Sequence, residues 1–369
     1  MKTNRNIYIT LGVVFFTVYF VCAARPIPRE TVLIPRWLVS LESGNPVLLG
    51  DGSFRAPDGQ WDERSLMPFE LSGRFGYFDR EGRFSINQAK RYNISLSAAH
   101  WAEYGDEPDQ ITINSSNRDT LAVINDPRGY PFFLDGRTFL VGSDQNAISQ
   151  IDDSGGIQWV YDFASPLICV DAAAGLVLTG SFDGIIGVLD SSGRQVFSFE
   201  PGGSRYAIIL GCAISRDGSK LALISGINAQ RFLLLERFGT TGGDYKVVYH
   251  EFLASDFRRP VFVSFIDDDR WVVFEREGGI GFFDIGSRQT GKVDLKGEVI
   301  AVDGFGGQNL VFFIVSLPSG GKELVGIKLP DKVIIEAPFK SDDVFLGRMD
   351  SRLFIGGGQT LVSFDVDKR

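Results

Sequence analysis

Residues 180–193 read GSFDGIIGVLDSSG, and residues 142–155, 38 positions earlier, read GSDQNAISQIDDSG. A Gly-Ser pair, an apolar-Asp pair and a closing Gly recur at identical offsets. The apolar-Asp pair is also found elsewhere, and its aspartates are Asp79, Asp152, Asp190, Asp284 and Asp365. Three of the four gaps between them are close to double a unit of about 40 residues, a period typical of propellers, solenoids or repeat arrays.

Each unit has a common internal pattern. Residues 165–200 hold four short apolar runs separated by Gly, Asp and Ser, and residues 206–253 and 254–296 repeat the arrangement. Such runs and turn residues predict β-strands joined by hairpins, because Gly accepts positive φ and Asp can bond the turn amides. No stretch of the body shows a sustained helical period. Four strands in roughly 40 residues predict an all-β propeller of four-stranded blades.

The third strand of each unit gives a count of the blades. Eight such positions occur, at residues 79, 115, 152, 190, 236, 284, 329 and 365. Eight blades are therefore favoured, and seven stays open because the opening strand of the first unit, near residues 46–51, is poorly marked. The last unit ends at its third strand, so we expect the strand-like residues 31–41, TVLIPRWLVSL, to pair there and close the ring.

Two stretches resemble a known repeat. Residues 139–163 and 176–200 are similar to repeats of the PQQ-like, or quinoprotein-like, β-propeller family, and ISRDGSKLALIS at 214–225 is similar to a turn of WD40-like bacterial propellers. The resemblance covers most of residues 66–369 and implies an architecture but no particular function. Quinoprotein enzymes of the group bind PQQ beside an adjacent Cys-Cys pair. This chain has no such pair, so we expect no cofactor.

The N-terminus predicts export. After a basic tail, residues 1–6, come 18 residues without charge, 7–24, which suit a transmembrane signal-anchor helix. Cleavage after Ala24 as a signal peptide and lipidation at Cys22 are the alternatives. Residues 25–65 are predicted to be a linker that contains the ring-closing strand, with a loop at 51–65. A single apolar segment at this position favours a propeller on the extracytoplasmic side of a bacterial cytoplasmic membrane, that is, a periplasmic body.

The charge of the chain argues against one class of partner. The formal net charge is −9, and residues 37–369 carry 45 acidic against 32 basic side chains. Such a body repels phosphate backbones, so nucleic-acid binding is not expected.

Few residues have the chemistry of a catalytic or metal site. The two histidines, His100 and His250, have no partner His or Cys at ligand spacing, so no metal site is predicted. Neither lies near a nucleophile-elbow motif, and no catalytic residue is assigned. Cys169 and Cys212 lie in apolar, strand-like runs, where buried thiols are expected. A disulfide between them is left open because spacing alone cannot decide it.

Three functions compete. The favoured one is a non-enzymatic scaffold that binds envelope or membrane proteins through a loop face. The second is a ligand- or carbohydrate-binding propeller with Trp101, Trp159 or Trp271 at a channel mouth, although blade packing is the commoner role of such residues. The third is a hydrolase with channel carboxylates, for which the acidic groups are Glu275 with Glu277 and residues 267–269, DDD.

Overall fold

The structure is a computed structural model that describes residues 13, 15–17, 31–49, 61, 65–239, 244–303 and 309–368. In these residues the chain forms 32 β-strands. Their bounds, in chain order, are β1 Thr31–Ser40, β2 Pro46–Leu48, β3 Met67–Leu71, β4 Arg74–Phe78, β5 Phe84–Ala89, β6 Asn93–Leu96, β7 His100–Tyr104, β8 Gln110–Ser115, β9 Thr120–Asn125, β10 Gly129–Leu134, β11 Arg137–Gly142, β12 Ala147–Ile151, β13 Ile157–Asp162, β14 Leu167–Ala173, β15 Leu176–Ser181, β16 Ile186–Leu189, β17 Gln195–Phe199, β18 Tyr206–Ile214, β19 Lys220–Ile227, β20 Arg231–Arg237, β21 Tyr245–Phe252, β22 Val263–Ile266, β23 Trp271–Arg276, β24 Gly279–Asp284, β25 Gln289–Asp294, β26 Glu298–Val302, β27 Leu310–Ser316, β28 Lys322–Lys328, β29 Lys332–Phe339, β30 Val344–Met349, β31 Arg352–Gly357 and β32 Thr360–Lys368.

The strands form eight sheets, which are the blades of a propeller. Blades 2 to 7 each have four antiparallel strands in chain order, β6–β9, β10–β13, β14–β17, β18–β21, β22–β25 and β26–β29. Blade 1 has three described strands, β3–β5, and blade 8 has five in the order β2-β1-β32-β31-β30. The strands of blade 1 correspond to the second, third and fourth strands of the other blades, because Trp37 Nε1 donates to the Arg80 carbonyl after β4 as Trp159 Nε1 donates to the Ser191 carbonyl after β16. The prediction of an eight-bladed, all-β propeller is confirmed, and the alternative of seven blades is wrong.

The repeated Asp positions mark the third strand as predicted. Six of the eight predicted positions coincide with the end of a third strand or adjoin it, on β4, β8, β12, β16, β24 and β28. The two others, residues 236 and 365, lie inside the third strands β20 and β32, one and three residues before the strand ends. The positions near residues 115, 236 and 329 lack the apolar-Asp pair, yet each belongs to a blade of its own, so the turn sequence has diverged there.

Blade 8 joins two distant parts of the sequence. Strand β1 lies between β32 and β2 in the sheet, so the segment predicted as residues 31–41 does occupy the place beside the last strand. Trp37 is buried against blade 1, in a cluster with Phe69, Phe78 and Phe354. One expectation was wrong. Residues 46–48 do not open the first blade; they pair on the outside of β1, with Val47 opposite Leu38.

The DSSG-type turns of blades 1, 3 and 4 each contact a neighbouring blade. The Asp190 carboxylate accepts hydrogen bonds from the Ser192 and Arg194 amides at 2.9 and 3.1 Å. These bonds lower the Asp190 pKa to about 2, and the hydrogen bond from the Ser192 hydroxyl contributes most to the shift. Gly193 follows with φ +78°, and a Cβ there would lie 2.5 Å from the Trp159 ring of blade 3. Gly82 meets Trp37 of blade 8 in the same way. The glycine is thus required both by the turn and by the neighbouring blade.

The described residues divide into two compact units. Residues Pro35–Asp365 contain the eight blades apart from the outer ends of β1 and β32, and the second unit comprises Met1–Ile34 and Val366–Arg369. Within the second unit, residues 13 and 15–17 are helical, and the Thr17 hydroxyl donates to the Val13 carbonyl at 2.8 Å. The rest of the predicted anchor, residues 7–24, lies outside the described residues, as do residues 1–6 and most of 51–65. Among the described residues, no helix has both the length and the apolar character needed to cross a bilayer.

Candidate interaction surface

The topology gives the propeller two different faces. Strands alternate in direction within a blade, so the turns from first to second strand and from third to fourth strand share one face, which we call the turn face. The loops from second to third strand lie on the other face, together with the links from one blade to the next. We call this the connector face. The first strands of successive blades, such as β14, β18 and β22, contact one another at the centre.

A cavity of about 490 Å³ opens on the connector face between blades 6 and 7, and we call it the connector groove. Three segments form it: the link before β22, the loop between β23 and β24, and the link between β25 and β26. Its aromatic and charged lining residues are Phe257, Arg259, Glu275, Arg276, Lys296 and Glu298.

Arg259 is the centre of an ion network in the groove. Its Nη2 lies 2.6 Å from Glu275 Oε1 and 2.9 Å from Glu298 Oε1, while Nη1 donates to Glu275 Oε2 at 3.1 Å. Glu275 is buried, and its hydrogen bond with Arg259 is the main reason that the Arg259 pKa is raised. The guanidinium also lies 4.9 Å from the centre of the Phe257 ring. The network holds the link before β22 against the mouth of the groove.

Arg276, at the end of β23, is a second cation of the groove, and unlike Arg259 it has no carboxylate partner among the described residues. Lys296, by contrast, pairs with Glu336 at 3.0 Å. An unpaired guanidinium beside apolar surface from Phe257, Leu295 and Val299 suits a carboxylate that comes with an apolar neighbour.

Blades 4 and 5 add apolar surface to the same face. Phe182, Ile185, Tyr206 and Phe252 are 59, 39, 51 and 58% exposed, and we call these four residues the connector patch. Gly184 holds its loop close to Ala207, where an added Cβ would meet the alanine Cβ at 2.4 Å. Several such residues together on one face are typical of an interaction surface.

Arginines lie against the rings of the connector patch. The Arg231 guanidinium is 5.5 Å from the Phe252 ring and donates to the Pro201 carbonyl at 2.6 Å, which ties the link between blades 4 and 5 to blade 5. Arg205 lies 5.5 Å from the Tyr206 ring. Like Arg276, Arg205 forms no ion pair among the residues that the structure describes. Basic groups therefore interrupt an apolar area on a chain that is acidic as a whole.

The three tryptophans considered for a channel mouth are packing residues. Trp159 and Trp271 are buried, and Trp159 Nε1 donates to the Ser191 carbonyl at 3.1 Å. Trp101 packs on Phe75, with ring centres 5.2 Å apart, and donates to the Ser115 carbonyl. The residues on which the carbohydrate-binding alternative depended are thus used inside the blades.

The acidic residues considered for a hydrolase do not meet in one place. Glu275 lies in the connector groove, whereas residues 267–269 form the turn between β22 and β23 on the turn face. Glu277 lies in the loop after β23, where its amide bonds the Ser255 hydroxyl at 3.0 Å. Strand β23 therefore separates the two acidic groups.

The histidines and cysteines occupy blade interiors and edges. The centre of the His100 ring lies 5.6 Å from that of the Phe133 ring, with the two planes tilted by 57°, and His250 lies beside Phe252. Among the described residues, no group of three or more His, Cys, Asp or Glu side chains is placed to hold a metal ion. Cys212 is buried and Cys169 is half-buried, and both are free thiols.

Apart from Glu275, sequence reasoning did not identify the residues of this surface. Arg259, Arg276, Phe182 and Phe252 lie in loops or at strand ends that do not repeat from blade to blade. The signal that could have found them is departure from the repeat. The link between β21 and β22 spans residues 253–262, the longest among blades 3 to 7.

Known proteins are similar to this chain in sequence or in fold. An uncharacterized protein of Treponema pallidum (strain Nichols) is 25% identical over 370 residues, covering 99% of this chain and 95% of its own. The designed protein Ika8 aligns with TM-score 0.57 and 13% identity over 82% of this chain and 93% of its own. A chain of the mitotic checkpoint complex aligns with TM-score 0.53 and 11% identity over 86% of this chain and 97% of its own. BamB from Moraxella catarrhalis aligns with TM-score 0.44 and 13% identity over 81% of this chain and 99% of its own.

A family model described as "beta-propeller protein" matches residues 1–368. The match spans all eight blades as well as the N-terminal segment. This chain belongs to the β-propeller protein family.

Proposed function

We propose that this protein is a non-enzymatic binding propeller that uses the connector face of blades 4 to 7 to hold a segment of another protein. The observation that carries the proposal is the pairing of the exposed connector patch with the charged connector groove on one face. Aromatic residues and arginines are the side chains most enriched where proteins bind each other.

The chemistry of the face favours an acidic segment with apolar residues. Arg205 and Arg276 offer guanidinium groups without an ion pair among the described residues, and each lies next to apolar surface. A carboxylate of the partner segment would form a charge-assisted hydrogen bond with either arginine. The apolar residues next to that carboxylate would cover Tyr206 or Phe257. The overall net charge of −9 would repel such a partner elsewhere, so these arginines would also select the face that it meets.

The proposal includes a place in the cell envelope. Residues 7–24 carry 18 uncharged, mostly apolar positions, which supports a membrane anchor with the propeller on the extracytoplasmic side. The partners would then be other envelope or membrane proteins. Expression of the full chain and of a chain lacking residues 1–24 tests this part. The full chain should stay with membranes after carbonate washing, and the shortened chain should be released; retention of both refutes the anchor.

Site-specific photo-crosslinking tests the binding face. A photoreactive residue at Phe182, Tyr206 or Phe252 of the full chain in its native cells should give a discrete adduct. The matched control is Phe238, which is 46% exposed but lies between β20 and β21 on the turn face. We expect no adduct of the same mass from Phe238. Equal adducts from both faces would contradict the assignment.

A charge substitution tests the chemistry of the partner. Arg276→Glu should abolish the adduct formed from Phe252 or weaken it at least tenfold, because a carboxylate would then face an acidic segment. The control is Arg258→Glu, which removes a cation 71% exposed and only 3.7 Å from Asp256. If the Arg276 variant keeps the adduct and the Arg258 variant loses it, the groove is not the site of the acidic contact.

A further inference from the structure

Two thiols from neighbouring blades lie side by side at the centre of the propeller. Cys169 is on β14, the first strand of blade 4, and Cys212 is on β18, the first strand of blade 5. Both belong to one cluster of apolar side chains between the two strands. Cys212 is 8% exposed, and Cys169 is half-buried.

The backbone register shows that the two cysteines face each other. Two residues after Cys169, the Asp171 carboxylate crosses to β18 and accepts the Ile214 amide at 2.9 Å. Ile214 is likewise two residues after Cys212. Side chains two apart in a strand point the same way, so Cys169 points toward blade 5 as Asp171 does, and Cys212 lies with Ile214 in the cluster against which Cys169 packs.

The surroundings leave room for the sulfur atoms. Gly180 lies opposite Cys169 in the sheet, and a Cβ there would come within 2.7 Å of the Cys169 Sγ. The absence of a side chain at Gly180 therefore makes the space that the thiol occupies. The neighbouring Cys169 thiol, together with burial, raises the Cys212 pKa well above its usual value.

We propose that Cys169 and Cys212 are a reversible disulfide site that ties the first strand of blade 4 to that of blade 5. The oxidant is a small disulfide such as oxidised glutathione. Cys169, the more exposed thiol, displaces one reduced glutathione and forms a mixed disulfide. Cys212 then attacks the Cys169 sulfur, releases the second reduced glutathione and completes the protein disulfide. Both thiol protons and both electrons leave with the two glutathione molecules.

Peptide mapping of the full chain tests the site. The protein is incubated in a series of reduced and oxidised glutathione mixtures, quenched in acid, alkylated under denaturing conditions and analysed by mass spectrometry. We expect peptides that contain residues 169 and 212 to be joined, with the loss of two hydrogens, and dithiothreitol to restore both thiols. The oxidised form should melt about 5 °C higher, because the bond closes a loop of some 40 residues in the unfolded chain.

Variants separate this site from the remaining cysteine. Cys22→Ser should leave the linked peptide unchanged, and Cys169→Ser or Cys212→Ser should remove it. Three results would overturn the proposal: both thiols alkylated at the most oxidising ratio, a reaction that stops at the mixed disulfide on Cys169, or a link that contains Cys22. Each can be read from the wild-type chain, even if a serine variant folds poorly.

Discussion

On the turn face, Asp79, Asp152 and Asp190 each begin a hairpin of five residues, with the same carboxylate-to-amide bonds. On the connector face, the links between blades 3 and 7 range from three to ten residues and carry unrelated side chains. The first face repeats because every blade must meet its neighbour in the same way. The second varies because the links are not part of that contact. The regular face thus serves the packing of the blades, and the irregular face carries the surface for which we propose a binding role.

The largest expected effect comes from the closure of the ring, where β1 from the start of the chain completes the last blade. Trp37→Ala should lower the free energy of unfolding by about 4 kcal/mol, because it removes a buried indole from the contact between blades 8 and 1. Val47→Ala on the neighbouring β2, 58% exposed, should change it by less than about 0.5 kcal/mol. Urea unfolding measures both. Similar midpoints for the two variants would show that β1 does not hold the ring.

The turn glycines test whether the repeat serves packing as well as turn geometry. Gly193→Ala should cost about 3 kcal/mol, since the new methyl would meet Trp159 in addition to the strain of positive φ. Gly175→Ala has nearly the same φ, +77°, and no atom within 4 Å of the added Cβ. It should cost about 1 kcal/mol. Thermal and urea unfolding of the pair would give equal losses if the glycine served only the turn.

The connector groove offers a test of the irregular face. Glu275→Gln should destabilise the protein by about 2 kcal/mol, because Arg259 and the Phe262 amide lose a buried charged acceptor. Glu298→Gln removes the second, largely exposed partner of Arg259 and should cost less than about 0.5 kcal/mol. Urea midpoints distinguish them. A larger loss from Glu298 would mean that the network is held from blade 7 rather than blade 6.

The smallest effect is the acid response of one repeated turn. The folded Asp190 pKa of about 2 lies below the usual 3.8, so its contribution to stability is present above about pH 4 and is lost as the pH falls toward 2. The Asp190 side chain is solvent-accessible, which limits the contribution to less than about 1 kcal/mol. Urea midpoints of wild type and Asp190→Asn should differ at pH 6 and converge by pH 2. A constant difference would contradict the assigned pKa.

The sequence predicted the parts of the fold that are periodic. The apolar-Asp pair located the third strand of five blades, because an Asp at the start of a hairpin can bond the turn amides, and the spacing between these pairs located the other three. It could not show that residues 46–48 extend blade 8, since a three-residue strand without a turn motif has no distinct pattern. Glu275 was noticed as an acidic residue, yet its partner Arg259 could not be, because a link of ten residues has no fixed geometry in the sequence.

The position of β1 has a consequence for how the molecule is made. This strand is synthesised early, but its neighbour β32 follows more than 300 residues later. Seven blades can form while the ribosome is still at work, each from adjacent strands, and the eighth cannot. Until then, the indole of Trp37 and the backbone edge of β1 are without the sheet that covers them. The slowest folding step should therefore come after synthesis of β32, and chaperones that protect exposed strands would act on this segment for longest.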